Sequence, residues 1–336
     1  MLESKFIYKY LGAIAVIGFA SYYGNRIKRE LSNNDENDEL IRKYLLNESP
    51  LYGMNRPKLW IHSKYEINAR SWKGNSTDLN QPYLHLTIKT IINHCGNDFN
   101  VCLIDDETFS KLIPDWDVNL ASLSEPFRSN FREVGILQLL YIYGGVVLPN
   151  SFICMKNVAP LFKETDKNQR PFFAEEINHT THNNSAAFVP GMQIMGAQKA
   201  CPVIKEIINE LKQRNKSNHF SNEPKFTGQT SQLIHSKKAS IIDGRLIGIK
   251  TKKGKQILLD DLMSEDFLDL DPDTYGIVVP ADEVLSRSKY QWLAYLSTNE
   301  LMKTKVALTK HLKASIVDSS NEYFSDRNEI KSVTSI

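Results

Sequence analysis

The chain has 336 residues, of which 41% are hydrophobic and 24% charged, a composition typical of a globular protein with one large core or two small ones. Its 41 basic and 39 acidic residues leave a formal net charge of +2, so no strong overall field attracts nucleic acid, and we expect no nucleic-acid partner. The 4 cysteines include no Cys-x-x-Cys pair, which disfavours a structural zinc site. Cys102 and Cys154 lie in apolar runs and are predicted to be core residues.

An uncharged, largely apolar segment near the N-terminus predicts a single-pass membrane anchor. A spanning helix needs roughly 20 apolar residues, and residues 6–25 reach that length if Lys9 extends its amino group to the membrane surface. A cleaved signal peptide that ends at Ala20 is the alternative, because small residues precede that position. We expect residues 1–30 to be the anchor or signal peptide, and residues 31–55 to be a polar spacer.

The next part of the chain alternates strand and helix patterns. In chain order, the predicted elements are a strand at Lys58–His62, a helix at Pro82–His94, a strand at Phe99–Ile104, helices at Thr108–Leu112 and Pro126–Tyr143, and a strand at Val146–Leu148. Gly144 and Gly145 form a sound stop for the longest of these helices. Alternation of this kind predicts βαβ units and an α/β fold with a mostly parallel sheet flanked by helices.

The rest of the chain continues the pattern less regularly. It predicts strands at Pro171–Glu175, Ala187–Met195, Leu246–Ile249 and Tyr275–Val279, a helix at Pro202–Leu211, a polar loop at Lys212–Lys225, and mixed helix or loop to about Leu312. Residues 56–314 are therefore expected to form the folded domain. Residues 315–336 contain few apolar side chains and are predicted to be a disordered tail.

One stretch carries a recognisable signature. Residues 132–148, REVGILQLLYIYGGVVL, resemble the DXD-containing glycosyltransferases, including family 32 and the capsular-polysaccharide-synthesis type. In that group an amphipathic helix ends in Tyr-x-x-Gly-Gly, here Tyr141 to Gly145, and a buried strand then delivers Asp-x-Asp. Two carboxylates at a strand end suit a divalent cation held by the nucleotide diphosphate, and the cation neutralises charge on the leaving phosphate.

Further stretches resemble the same plan in the same order. They are Pro57–His62 as the strand under the nucleotide base, Val101–Asp106 as the second strand with its acidic end, Phe188–Ala197 with the proline-started helix after it, and Thr227–Thr230 as a Thr-Gly-Pro turn with glutamine in place of proline. The resemblance covers roughly Pro57 to Trp292. It implies a GT-A-like, Rossmann-related fold.

The chain departs from this family where the metal would bind. Pro149-Asn150-Ser151 replaces Asp-x-Asp, and neutral oxygens hold Mg²⁺ or Mn²⁺ far less tightly than carboxylates. We therefore predict no metal ligands, and a Mn²⁺ or Mg²⁺ cofactor is disfavoured. The acidic residue and the arginine of the family's helix correspond to Glu133 and Ile136, so the arginine is lost.

The resemblance implies a site built from strand ends and turns. Its substrate-binding candidates are Ile61, His62, Asp105, Asp106, Arg132, Gly144, Gly145, Asn150, Ser151, Gly228 and Gln229. Its catalytic candidates are Glu175 and Glu176, where this architecture would place a carboxylate that faces the acceptor. An acidic pair at a strand end is also typical of an exposed edge or a helix N-terminus. Arg132 and His62 likewise have ordinary structural interpretations, as a solvated helix residue and a packed strand residue.

The sequence as a whole predicts a membrane-anchored glycosyltransferase-like protein of the hexosyltransferase class, transferring a sugar from a nucleotide-sugar donor to a glycan or glycoprotein. Asn-x-Ser/Thr motifs suggest an endomembrane lumen such as the ER or Golgi; they begin at Asn47, Asn75, Asn178, Asn183 and Asn215. Two interpretations of the altered motif stay open. Either catalysis is metal-independent, with cations or backbone N–H groups on the diphosphate, or it is lost and the fold serves binding or a structural role. A carbohydrate-binding module is a third class.

Overall fold

The computed structural model of the protein describes residues 56–66, 76–77, 81–168, 170–178, 187–216 and 223–316. The predicted anchor, the spacer and all but the first residues of the predicted tail lie outside these ranges. Within them, no helix combines the length and the apolar character that crossing a membrane requires.

The described part of the chain contains ten strands and eleven α-helices. The strands are β1 (Lys58–His62), β2 (Tyr65–Glu66), β3 (Ser76–Thr77), β4 (Asn100–Ile104), β5 (Gly145–Pro149), β6 (Phe152–Cys154), β7 (Phe172–Ile177), β8 (Phe188–Ala197), β9 (Ser240–Ile242) and β10 (Gly276–Val278). The helices are α1 (Pro82–Cys95), α2 (Thr108–Leu112), α3 (Phe127–Tyr143), α4 (Ala159–Asn168), α5 (Pro202–Lys216), α6 (Glu223–Ser236), α7 (Leu259–Leu262), α8 (Ala281–Ser286), α9 (Trp292–Tyr295), α10 (Thr298–Leu301) and α11 (307–316).

A six-stranded mixed sheet in the order β4-β1-β5-β8-β7-β9 forms the centre. Strand β1 pairs in parallel with β4 and β5, and β7 pairs in parallel with β9. Strand β8 runs antiparallel to both β5 and β7, so these two strands point the same way. Five strands, β4, β1, β5, β7 and β9, therefore end at one side of the sheet, which we call the carboxyl edge.

Helices cover both faces of this sheet, which explains why its strands are apolar without alternation. Trp60 and Val147 point into a core shared with α2, α3 and α5. Leu59 and Leu148 point the other way, into a core shared with α1 and α4. A third core lies on the outer side of α1, where Leu84 and other residues of that helix pack with β6, β10 and the C-terminal helices.

The predicted α/β fold with a largely parallel, helix-flanked sheet is confirmed. Most predicted elements up to Ala197 appear within two residues of their expected bounds. Two predictions are wrong. Leu246–Ile249 is a run of turns, because the N–H groups of Leu246 and Ile249 bond to the nearby carbonyls of Asp243 and Gly244, although the carbonyl of Leu246 accepts from Tyr275. The polar loop predicted at Lys212–Lys225 is helical at both ends, because its lysine, glutamine and glutamate residues favour helix despite their polarity.

The C-terminal boundary also differs from the prediction. Ser315, expected to begin the disordered tail, lies in α11 with 2% of its surface exposed. Its hydroxyl donates a hydrogen bond to the carbonyl of Cys154. This buried contact extends the folded part beyond the predicted end at 314. All four cysteines are buried and none forms a disulfide, so the core role predicted for Cys102 and Cys154 is confirmed.

Candidate functional site

The carboxyl edge gathers most of the polar residues that the sequence singled out. His62 ends β1 and is level with Ile104 and Pro149, the last residues of β4 and β5. Asp105, Asp106, Asn150 and Ser151 follow directly. Ligands of open α/β sheets bind outside the carboxyl ends of the strands. The topology therefore brings these side chains to the place where this kind of fold binds ligands.

Three side chains at the β1 and β4 ends form one network. The guanidinium of Arg132 donates to both carboxylate oxygens of Asp106, at 2.8 and 2.7 Å. His62 Nε2 lies 2.9 Å from Asp106 Oδ1. The exposed fractions are 5% for the Arg132 side chain, 8% for His62 and 19% for Asp106. Arg132 is thus buried and paired, which differs from the solvated helix residue considered from sequence.

The charges in this network fix its protonation. Burial by itself raises the pKa of Asp106, but the hydrogen bonds and charges of Arg132 and His62 outweigh it and hold that pKa well below its usual range. An ionised carboxylate only accepts hydrogen bonds, so His62 must donate its Nε2 proton to Asp106. Phe109 stacks on the His62 ring, with centroids 5.6 Å apart and planes 5° from parallel, which fixes the ring's orientation.

The local sequence explains how Arg132 reaches this edge. Helix α3 ends at Gly144, beside the amino end of β5, so its first turns lie at the opposite, carboxyl edge. Arg132 belongs to those turns and points across to the end of β4. Asp105, next to Asp106, is exposed, and its carboxylate instead accepts hydrogen bonds from the backbone and hydroxyl of Thr108.

The tip after β5 is buried against the rest of the domain. Asn150 and Ser151 are 7% and 5% exposed. The carbonyl of Asn150 accepts a hydrogen bond from Thr87 Oγ1 at 2.5 Å, and Ser151 Oγ donates to the carbonyl of Val279 at 2.7 Å. These contacts hold the tip to α1 and to the C-terminal core.

The donor set at this tip does not fit a divalent cation. Pro149 has no side-chain donor atom, and the Ser151 hydroxyl already faces a carbonyl of the protein. Carboxylates are the ligands that bind Mg²⁺ or Mn²⁺ tightly, and the tip supplies none. Over the described ranges, no group of three or more His, Cys, Asp or Glu side chains is placed to hold a metal ion.

The two predicted catalytic residues, Glu175 and Glu176, lie at the same edge, but their carboxylates have different partners. Glu175 Oε2 accepts a hydrogen bond from the backbone N–H of Gly244 at 2.7 Å and forms an ion pair with Lys250. The Lys250 ammonium also lies 4.3 Å from the centre of the Phe188 ring. Glu175 therefore fastens the turn after β9 to the end of β7.

Glu176 is paired with Val189 of β8, just after an irregularity in the pairing of β7 with β8. Its carboxylate accepts a 2.7 Å hydrogen bond from the backbone N–H of Gln193 and lies over Gly191, where an added Cβ would come within 1.8 Å of the carboxyl carbon. Burial raises the pKa of Glu176 to about 6, against the smaller lowering effect of the N–H groups of Gln193 and Met192. No basic side chain among the described residues compensates this burial, in contrast to Glu175 with Lys250.

The remaining candidates lie elsewhere. Ile61 is fully buried in the core between the sheet and α1. Gly144 and Gly145 lie at the amino end of β5, with φ of 70° and 112°, and an added Cβ on Gly145 would come within 2.1 Å of the Lys58 carbonyl oxygen. Gly228 and Gln229 lie inside α6, so the turn predicted there is wrong. Without the proline of the family's turn, nothing in the sequence interrupts the helix.

A separate cavity of about 250 Å³ lies beside α4 and the amino ends of β7 and β9. Glu164, Arg170 and Tyr275 line it together with apolar side chains. None of its lining residues belongs to the His62, Asp106 and Arg132 network. The carboxyl edge is the better candidate for ligand binding because polar side chains from several strands meet there.

The predicted site residues included neither Lys250 nor Thr87, although the basic turn at residues 250–255 suits either a phosphate contact or a solvated hairpin tip. Lys250 belongs to a basic turn and is distant in sequence from Glu175, so only the pairing of β7 with β9 brings the two together. The signal for Thr87 is that a second threonine, Thr90, follows on the same face of α1, a pattern that suits buried hydrogen bonds.

No protein-family model matches the chain, and no curated protein matches it. Among solved structures it is similar to the glycosyltransferase GlyE of Streptococcus pneumoniae TIGR4, with 11% identity, a TM-score of 0.39, and coverage of 81% of this chain and 64% of GlyE. The PaToxG glycosyltransferase has 13% identity and a TM-score of 0.34, with 62% and 79% covered. Mouse xyloside xylosyltransferase 1 has 11% identity and a TM-score of 0.35, with 56% and 84% covered.

All three are glycosyltransferases by name, which is the class that the sequence resemblance indicated. With identities near 12% and TM-scores below 0.5, the similarities carry no argument of their own. The function of this chain therefore has to be inferred from its own residues.

Proposed function

We propose that this protein is a membrane-anchored glycosyltransferase-like protein that binds a nucleotide sugar at the carboxyl edge of its sheet and transfers the sugar to a glycan or glycoprotein. One observation carries the proposal. Four strand ends deliver polar side chains to a single edge, where His62, Asp106 and Arg132 are already locked together by hydrogen bonds. Such pre-organisation is what binding a polar ligand in a defined orientation requires.

The nucleotide would lie over the ends of β1 and β4. Asp106 is held ionised and partly exposed, so its remaining acceptor capacity suits the hydroxyl groups of a ribose or the N–H groups of a base. Asp105, exposed beside it, offers a second acceptor. Arg132 and His62 would act by holding Asp106 in place.

The diphosphate would be bound without a metal. The β5 tip offers no carboxylate for a cation, so positive charge must come from the protein. Lys64 follows β1 and pairs with the exposed Asp282 at 3.2 Å, a surface pair that costs little to exchange for a phosphate. We propose Lys64 as a diphosphate-binding residue, with the backbone at Asn150 and Ser151 nearby.

Glu176 would face the acceptor as the proton-accepting carboxylate. A general base is most effective when its pKa is near the working pH, and the pKa of Glu176 is raised to about 6. Glu175 is held by Lys250 and Gly244, so we assign it a positioning role.

A second candidate is a non-catalytic relative that uses the same edge for binding or structure. The observation that favours it is the buried state of the β5 tip, where Ser151 and the carbonyl of Asn150 serve the fold. In this candidate, the tip after β5 contributes to packing and does not bind a metal ion.

The test is a binding and turnover assay on the full chain in detergent with a panel of UDP-, GDP- and CMP-sugars. Binding is followed by calorimetry, and donor cleavage is followed with and without Mn²⁺. The variant Glu176→Gln keeps the shape of the side chain and removes its proton-accepting charge. Glu164→Gln, an exposed residue at the separate cavity, is the matched control.

Each outcome decides between the candidates. Metal-independent turnover that falls by roughly 10² to 10⁴ in Glu176→Gln, with binding and the control variant unchanged, supports the transferase. Binding without turnover in any variant favours the non-catalytic relative. Absence of binding for every donor contradicts both, and turnover that requires Mn²⁺ contradicts the metal-free site.

We also propose that residues 6–25 anchor the chain as a single span, with the domain in an ER- or Golgi-like lumen. The length and apolar character of that segment support this topology. The full chain expressed in cells should resist extraction by alkaline carbonate, and its domain should be protected from added protease in intact vesicles. Release of the full chain by carbonate, or a new N-terminus after Ala20, would instead indicate a cleaved signal peptide.

A further inference from the structure

Helix α1 contacts the segment that follows β5 through a stripe of side chains on one of its faces. Thr87 Oγ1 donates to the carbonyl of Asn150 at 2.5 Å. One turn further on, Thr90 Oγ1 accepts the backbone N–H of Cys154 at 2.9 Å. At the end of the helix, Cys95 Sγ lies 3.8 Å from Cys154 Sγ. The stripe therefore ends in two facing thiols.

The two thiols are isolated from the other cysteines. Cys95 and Cys154 have no exposed surface and belong to the core between the sheet and α1. Cys102 and Cys201 belong to the core on the opposite face of the sheet. The backbone around Cys154 is held on both sides, by Thr90 at its N–H and by Ser315 at its carbonyl. Chance proximity in a loose region does not explain the pair.

We propose that Cys95 and Cys154 are a disulfide-forming pair that covalently joins α1 to the segment behind the candidate site. A disulfide needs a sulfur–sulfur distance of about 2.05 Å, so forming it requires the two sulfur atoms to move together from 3.8 Å. The other two cysteines stay reduced because the sheet separates them from this pair.

The oxidant in this reaction is a small-molecule disulfide such as oxidised glutathione. One cysteine thiolate attacks a sulfur of the oxidant, which releases one thiol and leaves a mixed disulfide. The second cysteine then attacks the protein sulfur of that mixed disulfide and releases the second thiol. Two protein thiols thus lose two electrons and two protons, and one disulfide becomes two thiols. Because both sulfurs are buried, the exchange takes place during folding or during local opening of α1.

The crosslink would affect the candidate site indirectly, by restraining the chain segment that contains several of its residues. The two cysteines are 59 positions apart. The chain between them contains Asp106, which follows β4, Arg132 in α3, and Asn150, which follows β5. Closing a loop of this size restricts the unfolded chain. We expect oxidation to raise the midpoint of thermal unfolding by on the order of 5–10 °C, and to protect the tip after β5 from local opening.

The test is disulfide mapping on the full chain in detergent. The wild-type protein is incubated in sub-denaturing urea with oxidised and reduced glutathione at several ratios, alkylated, and analysed by mass spectrometry. We expect a mass lower by two hydrogens before alkylation and a linked peptide that contains Cys95 and Cys154. Unfolding midpoints are measured before and after oxidation, and again after reduction.

Two sets of variants make the result specific. Cys95→Ala and Cys154→Ala should each abolish the linked peptide and the shift in midpoint, while the double variant Cys102→Ala and Cys201→Ala should retain both. The proposal is overturned if all four wild-type cysteines remain open to alkylation at every ratio, or if the linked peptide joins any other pair. Because the mapping uses wild-type protein, it stands even where a variant folds poorly.

Discussion

Two acidic residues at the carboxyl edge have opposite electrostatic surroundings. Asp106, after β4, accepts hydrogen bonds from a buried guanidinium and an imidazole, and its pKa is lowered. Glu176, at the end of β7, has backbone N–H groups as its stabilising partners, and its pKa is raised to about 6. Both are partly buried strand-end carboxylates. The difference shows that cationic partners can outweigh burial: burial raises the pKa of both carboxyl groups, but only at Asp106 do nearby cations reverse the direction of the shift.

The largest expected effect is at Asp106, the carboxylate that pairs with Arg132. Asp106→Asn removes the charge that compensates the buried Arg132, and breaking a buried ion pair on one side typically costs about 3–5 kcal/mol. We therefore expect a fall of that size in the free energy of unfolding, measured by urea denaturation. Asp105→Asn is the matched control, because this exposed neighbour should change stability by less than about 0.5 kcal/mol. Equal, small effects at both positions would show that the network is solvated.

Glu176 has no cationic partner among the described residues, and removing its charge should change stability in the opposite direction. A pKa raised from 4.5 to about 6 means that the stability contributed by Glu176 is complete below pH 4.5 and is lost as the pH rises through 6. The loss amounts to about 2 kcal/mol. Glu176→Gln should lack it and so be more stable than wild type above pH 7, by about 1–2 kcal/mol.

Unfolding measured in parallel from pH 4 to pH 8 tests this difference, with Glu164→Gln as control. A constant gap between wild type and Glu176→Gln over that range would contradict the raised pKa. The lowered pKa of Asp106 has the reverse consequence: its contribution is present above pH 3.8 and is lost as the pH falls below that value.

The smallest expected effect is at Ser151, in the tip after β5. Ser151→Ala removes one buried hydrogen bond to Val279, which should cost about 1 kcal/mol of stability and leave nucleotide-sugar binding nearly unchanged. Ser110→Ala removes a comparable but exposed bond to Glu107 and serves as the control. Unchanged stability together with lost binding would make Ser151 a ligand-binding residue and contradict its structural role.

The local part of this architecture was readable from the sequence. The strands at Lys58–His62 and Val146–Leu148 alternate with helices, the last of which stops at Gly144. This alternation predicted βαβ units and a mostly parallel sheet. The acidic end of β4 followed from Asp105 and Asp106. These features depend on residues close to one another in the chain.

The contacts between residues that are distant in the sequence could not be predicted from it. Asp106 meets Arg132 only because α3 runs back over the sheet, and Glu175 meets Lys250 only because β9 pairs with β7. The strand predicted at Leu246–Ile249 failed for a related reason. Its apolar side chains suit a strand, and its carbonyls accept hydrogen bonds from Tyr275 and Val278. Its backbone nevertheless turns at Gly248, where φ is 67°.

The most direct test of the central claim is hydrogen–deuterium exchange of the full chain in detergent, with and without the donor that binds most tightly in the calorimetric panel. We predict slower exchange at residues 62–64, 104–109, 149–152 and 175–178, the strand ends of the carboxyl edge. Slower exchange confined to residues 160–165 and 240–242, which line the separate cavity, would place the ligand elsewhere and contradict a nucleotide-sugar site at the carboxyl edge.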